Sequence, residues 1–191
     1  MNRLIQGARM KLRFRIFLCC SLIGFAGLAS AQNSDSIPII FDTDFAMPPQ
    51  DDALALMLAL QSPELDILGV TTVAGNRSLE QATSDVLRML EIAERADIPV
   101  YEGADLPLVH RISDFAVRSY GTWYSDEPPP EPYGGFAKKK IEDDSAAAYI
   151  EREVLANPGE ITIVALGPLT NIAHAIQGNP DFAAKVKQLV I

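Results

Sequence analysis

Ile39-Ile40-Phe41-Asp42-Thr43-Asp44-Phe45-Ala46-Met47-Pro48-Pro49-Gln50-Asp51-Asp52-Ala53-Leu54-Ala55-Leu56 is the stretch that decides how this chain folds. It begins as a short apolar run with β-branched residues, the pattern of a buried strand. It ends as an apolar-rich segment opened by aspartate, the pattern of a helix start. Side chains alternate along a strand, so Asp42 and Asp44 point to one side at its C-terminal end. Asp51 and Asp52 stand at the mouth of the next helix. Carboxylates gathered in this way repel one another unless a cation sits among them, and an all-oxygen set suits a hard ion such as Ca²⁺ or Mg²⁺. A plainer reading stands beside this one, with Asp51 as an N-cap and Asp52 as a first-turn residue that complements the helix dipole. The Asp-x-Asp pair is harder to explain that way, because open α/β sheets hold their ligands at strand ends. A metal or catalytic site is therefore expected here.

Upstream, the first 31 residues differ in character from the rest of the 191-residue chain. Arg3, Arg9, Lys11, Arg13 and Arg15 occur there without an acid, an almost wholly apolar run follows over 16–28, and Ala29-Ser30-Ala31 precedes Gln32. This order is that of a secretory signal peptide cleaved after Ala31, and the apolar part is short for a membrane span. It predicts a secreted or periplasmic mature domain over 32–191, with no stable membrane insertion; a retained N-terminal anchor is the rival reading. Cys19 and Cys20 sit early in the apolar run, against a lipoprotein signal. They would be lost on cleavage, leaving neither disulfides nor thiolate metal sites.

Downstream, strand and helix patterns alternate. Strands are expected over 37–42, 65–73, 98–101, 161–166 and 188–191. Helices are expected over 51–61, from a Ser78-Leu79-Glu80-Gln81 capping box to about residue 96, from Asp143 or Asp144 to about 156, and over 169–177. In the second helix Leu79, Ala82, Val86, Leu90 and Ala93 form one stripe. Such alternation implies βαβ units and an open, mostly parallel, Rossmann-like α/β sheet. The span 103–140 has no periodicity and holds Trp123, three tyrosines and Pro128-Pro129-Pro130. So long a loop is usually functional or mobile, and it is expected to border the substrate. The sequence stops within an apolar strand pattern, so a truncated chain is the expectation.

Apolar residues make up 48% of the sequence, enough for a substantial core. The formal charge is −9, and setting aside the five basic residues of the leader takes the mature part to −14. Such acidity argues against nucleic acid and anionic membranes as partners and is easier to reconcile with a small neutral substrate. Acidity serving solubility alone is the plainer alternative.

Three segments together carry a family resemblance. Asp42-Thr43-Asp44, a loop, and Asp51-Asp52-Ala53-Leu54-Ala55-Leu56 resemble the N-terminal signature of the nucleoside hydrolases, the inosine-uridine-preferring family, although the loop is longer here. Thr71-Thr72-Val73-Ala74-Gly75-Asn76 resembles the family's Thr-Val-x-Gly-Asn segment, and Gly167-Pro168-Leu169-Thr170-Asn171-Ile172-Ala173 its Gly-x-Leu-Thr-Asn-Ile-Ala segment. Each alone has a plain alternative: a turn at Gly75-Asn76, an ordinary strand-turn-helix at Gly167-Pro168.

The resemblance implies the fold of that family and hydrolysis of the N-glycosidic bond of ribonucleosides, with Ca²⁺ (calcium) as cofactor. It implies that Asp44 bridges metal and water and acts as general base, that Asp52 anchors the metal, and that Leu166 gives it a backbone carbonyl. Asp51 would hold the water or a ribose hydroxyl, Asn76 would contact the ribose, and Asp42 would stand behind them as an orienting group. Trp123 and Tyr124 would cover the base. The family's remaining aspartate ligand, a histidine and ribose-binding residues fall beyond Ile191, so the 191 residues alone are expected to bind calcium weakly and turn over poorly. A homo-oligomer is expected for the full-length form. His174 lies in a helix and reads as structural; His110 has no assigned role. Two alternatives stay open: a haloacid-dehalogenase-type phosphatase, which also begins with a strand ending in Asp-x-Asp, and a calcium-dependent nucleoside- or sugar-binding protein without turnover.

Overall fold

β1 (Ile37–Thr43) forms where the decisive stretch predicts it and runs one residue longer, through Thr43. The structure is a computed structural model that describes residues 36–109 and 131–191. The expected leader and its expected cleavage site, with His110, Trp123 and Tyr124, lie outside the described residues.

The other elements follow in the expected order. They are α1 (Asp51–Leu60), β2 (Leu65–Thr72), α2 (Leu79–Ile92), β3 (Val100–Glu102), α3 (Ala146–Ala156), β4 (Thr162–Ala165), α4 (Thr170–Gly178), a 3₁₀ turn (Ala183–Lys185) and β5 (Gln188–Val190). Several boundaries differ from the sequence reading for identifiable reasons. Gln50, not Asp51, is the N-cap of α1, and its side chain makes no capping bond. Ser145, rather than Asp143 or Asp144, caps α3 by accepting the Ala148 N–H. Ser78 caps α2 through the Gln81 N–H, while the Gln81 amide turns to Asp85 instead of back to Ser78, so only half of the capping box forms. α2 stops four residues short of 96 because Glu94 takes a left-handed φ of 58°. The Arg95 N–H then bonds to the Leu90 carbonyl and the Glu94 N–H to that of Glu91, the paired bonds of a Schellman motif.

All five strands pair in parallel, in the order β3-β2-β1-β4-β5. β1 lies at the centre, with β2 on one side and β4 on the other. One core packs Ile39, Phe41, Val70 and Val100 against α1 and α2; the second packs Ile40, Ile163 and Ala165 against α3 and α4. Ile39 and Ile40 therefore face opposite helix layers, as strand alternation requires. Between Ile39 and Ile40 the register with β2 skips Leu68. That extra residue lets Ile67 and Val70, three apart, serve the same core while Leu68 packs on the other. Leu56 on α1 is fully buried in the first core, and truncating such a leucine to alanine costs about 2–5 kcal/mol.

The chain winds from β1 outward to β3, then returns to place β4 on the other flank of β1. The order thus reverses at β1, and the crevice beyond the C-terminal ends of β1 and β4 is where such sheets bind ligands. Asp42 lies one residue before the end of β1, and Asp44 directly follows β1. Among the described residues no helix is long and apolar enough to cross a membrane.

Candidate active site

At the floor of the crevice Asp42 is fully buried. Its Oδ1 accepts the Thr71 hydroxyl at 2.5 Å and the Asn171 Nδ2 at 2.7 Å. Asn171 also donates to the Thr72 carbonyl at 2.9 Å and accepts the Ala104 N–H at 2.9 Å. One amide in the first turn of α4 therefore ties together the ends of β1 and β2 and the start of the loop after β3. Burial pushes Asp42 up to about 6, against the pull of the Thr71 and Asn171 hydrogen bonds, with the charge of Asp44 adding to the rise.

Two residues on, Asp44 meets other surroundings. Its Oδ2 accepts the backbone N–H of Asn76 at 2.5 Å, whereas Oδ1 is buried without a hydrogen-bond partner among the described residues. Burial again pushes the carboxyl up to about 6; the Asn76 N–H opposes this, and the neighbouring Asp52 carboxylate reinforces it. Asp52, in the first turn of α1, is buried and accepts the Thr43 hydroxyl at 2.5 Å. The β1 threonine between the two aspartates thus fixes the acid across the loop. Close packing requires glycine twice: a Cβ on Gly75 would collide with the Asp44 carboxylate, and one on Gly167 would stand 2.8 Å from the Asp44 backbone nitrogen.

A cavity of about 440 Å³ opens above, lined by Asp44, Gln50, Asp51, Asp52, Asn76 and Arg77. Asp51 and Asn76 are exposed on it. Leu166 follows β4 directly, and its N–H bonds to the Asp42 carbonyl at 2.8 Å, which pins it beside the end of β1. The expectation of four carboxylates around one point is not met. Asp42 turns to Thr71 and Asn171, and among the described residues no group of three or more His, Cys, Asp or Glu side chains could by itself hold a metal ion. Sequence reasoning gave no role to Asn171, Thr71, Thr43 or Arg77. A usable signal for the first lay in Thr170-Asn171, polar residues opening a helix directly after a strand.

The donor set nevertheless fits a hard cation. Asp44 and Asp52 offer oxygen ligands side by side, one Asp44 oxygen lacks any partner, and the Leu166 turn lies against the same strand end. Like-charged carboxylates so placed favour an ion that holds both in their ionised form.

Known proteins agree with this fold. The family model described as "Inosine-uridine preferring nucleoside hydrolase" matches residues 39–191. The chain is 44% identical over 156 residues to Uridine nucleosidase 1 of Arabidopsis thaliana, aligning 80% of this chain with 44% of that protein. It is 38% identical over 157 residues to the Pyrimidine-specific ribonucleoside hydrolase RihA of Salmonella arizonae, aligning 82% with 48%. It superposes on the solved plant nucleoside hydrolase PpNRh1 with a TM-score of 0.62 at 42% identity, covering 80% of this chain and 46% of that one. A purine-preferring ribonucleoside hydrolase from Gardnerella vaginalis gives a TM-score of 0.65 at 26% identity, covering 80% and 47%. The chain spans about half the length of the curated relatives it matches. The phosphatase alternative gives way to a match that runs from the first strand through all three motif segments. With the parallel sheet, the strand-end aspartates and that match in agreement, the chain belongs to the inosine-uridine preferring nucleoside hydrolase family.

Proposed function

We propose that the native protein hydrolyses the N-glycosidic bond of ribonucleosides to ribose and free base, with calcium as its metal. The observation that carries this reading is Asp44, a buried carboxylate at the point where the strand order reverses. One of its oxygens is held by Asn76, and the other is unpartnered beside a cavity of about 440 Å³. That volume lies in the usual range for small-molecule sites, about 300–1,000 Å³.

Asp44, Asp52 and the Leu166 carbonyl would hold the cation. Bound there, it would orient a water, lower its pKa and hold the sugar's vicinal hydroxyls. Asp44 takes the proton of the attacking water on its free oxygen. Asp52 is kept in place by the Thr43 hydroxyl. Asp51 offers an acceptor, and the Asn76 amide both a donor and an acceptor, to the ribose hydroxyls. The sugar passes through an oxocarbenium-like transition state, whose positive charge the surrounding carboxylates favour. Asp42 stays outside the chemistry and fixes the strand end that carries Asp44. Export through the first 31 residues is part of the same proposal, and an intact mass beginning at Gln32 checks it.

The test is ribose release from uridine and inosine by the native protein. Release is expected to stop with EDTA and return with added calcium. Phosphate release from a phosphomonoester, or nucleoside binding with no ribose formed, would overturn the reading.

A further inference from the structure

Breaking an N-glycosidic bond separates charge in two directions. The sugar becomes positive at its anomeric carbon, and the base becomes negative as the bond's electron pair passes to its ring nitrogen. In the reaction proposed above, the carboxylates favour the first charge, and the cation and Asp44 provide for the water. None of these groups meets the second need, since a cluster of acids opposes a departing anion.

Arg77 is the one cation among the described residues that line the substrate cavity. Asp44, Asp51 and Asp52 come from the end of β1 and the start of α1, whereas Arg77 comes from the loop between β2 and α2. Its backbone is held on both sides. The Arg77 carbonyl accepts the Gly75 N–H at 3.0 Å, the N–H of Asn76 just before it bonds to Asp44, and Ser78 just after it caps α2. Arg77 therefore follows directly on the residue proposed to meet the ribose, on a backbone tied to Asp44 itself. Its side chain is exposed and takes part in no ion pair among the described residues. Asp85 feels its charge across an adjoining cavity of about 360 Å³, which Arg77 and Gln50 also border, but the two form no ion pair. The guanidinium is thus uncommitted at the junction of two cavities, and such a group donates hydrogen bonds without giving up its proton.

We propose that Arg77 is a catalytic residue that stabilises the departing base. Its guanidinium donates to the acceptor beside the scissile nitrogen, which in a pyrimidine is the O2 carbonyl. The bond from the anomeric carbon to N1 breaks, and its electron pair passes to N1 and spreads onto O2. Arg77 binds that developing negative charge and transfers no proton. The water oxygen forms the new bond to the anomeric carbon, its proton goes to Asp44, and the base anion takes a proton from solvent. The contact strengthens as charge develops, so it lowers the barrier more than it tightens substrate binding. This inference rests on the nucleoside hydrolase reading and names the group that helps the base to leave.

The experiment compares uridine with p-nitrophenyl β-D-ribofuranoside, whose phenolate leaves readily without help. Both are assayed with the native wild type, Arg77→Met and Arg77→Lys. Arg77→Met should lower kcat for uridine about 10²-fold, the usual cost of one donor to a developing anion, with little change in KM. Its loss on the p-nitrophenyl riboside should be at least about tenfold smaller. Arg77→Lys keeps the charge and should recover uridine turnover to within about tenfold of wild type. Equal losses on the two substrates, full activity on uridine in Arg77→Met, or no recovery with lysine would overturn the proposal. Uracil binding by calorimetry gives a second reading and should weaken about tenfold in Arg77→Met, the effect of losing one charge-assisted hydrogen bond. Uracil affinity that Arg77→Met leaves unchanged, or no uracil binding by the wild type, would also overturn it. If the wild type releases ribose from neither substrate, the nucleoside hydrolase reading fails, while uracil binding still decides whether Arg77 meets the base.

Discussion

Asp42 near the end of β1 and Asp44 just past it stand two residues apart, and burial pushes both up to about 6, yet they serve different regions. Asp42 belongs to a closed floor, where the Thr71 hydroxyl and the Asn171 amide, both neutral donors, saturate one of its oxygens. Asp44 belongs to a rim, where a single backbone N–H holds one oxygen, a second carboxylate lies alongside, and a cavity opens above. The difference shows that a carboxylate's role here follows from which donors reach it, not from its residue type or its shift. Each keeps one oxygen without a hydrogen-bond partner among the described residues, but of the two acids only Asp44 lines the cavity.

The largest expected effect breaks the rim alone. Asp44→Asn should reduce ribose release by about 10²–10⁴-fold, the usual worth of a general base, or more if the metal is lost as well. The urea midpoint of the variant should stay close to wild type.

A pH titration sharpens the comparison from the side of the floor. Folding raises Asp42 from 3.8 to about 6, so the EDTA-treated folded protein holds that proton more tightly than the unfolded chain. The stability this gives is fully present below about pH 3.8 and is lost as the pH rises through about 6; a shift of this size corresponds to about 3 kcal/mol. Asp44 shifts in the same direction. Urea melts of the EDTA-treated protein should weaken between these values, and Asp42→Asn should flatten part of that slope.

Asn171→Ala should have a smaller effect, a loss of about 1–3 kcal/mol in urea unfolding, because the Ala104 N–H and the Asp42 carboxylate lose a buried partner. Its calcium affinity should change little if the floor is structural.

The rim was more legible in the sequence than the floor. Asp44, Asp51 and Asp52 lie within nine residues, and strand alternation followed by a helix start places them at one strand end without knowledge of the rest of the fold. Asn171 lies 129 residues from Asp42, and their contact depends on β4 pairing beside β1, a choice that local pattern does not encode. The β-bulge at Leu68 is hidden for a similar reason, since it shows only once β2 is in register with β1. The end of α2 is hidden in the sequence because Glu94 adopts the left-handed conformation that glycine usually takes.

The account's central claim is that Asp44, and not its neighbour Asp42, meets the cation and the reacting water. Calcium titration calorimetry on the native protein, side by side with Asp44→Asn and Asp42→Asn, tests it most directly. Asp42→Asn should still bind calcium, with an affinity lowered by no more than about 10–100-fold, as expected for an orienting group behind the ligands. Asp44→Asn should show no measurable calcium binding. Wild-type calcium affinity in Asp44→Asn, or its loss in Asp42→Asn alone, would contradict the account.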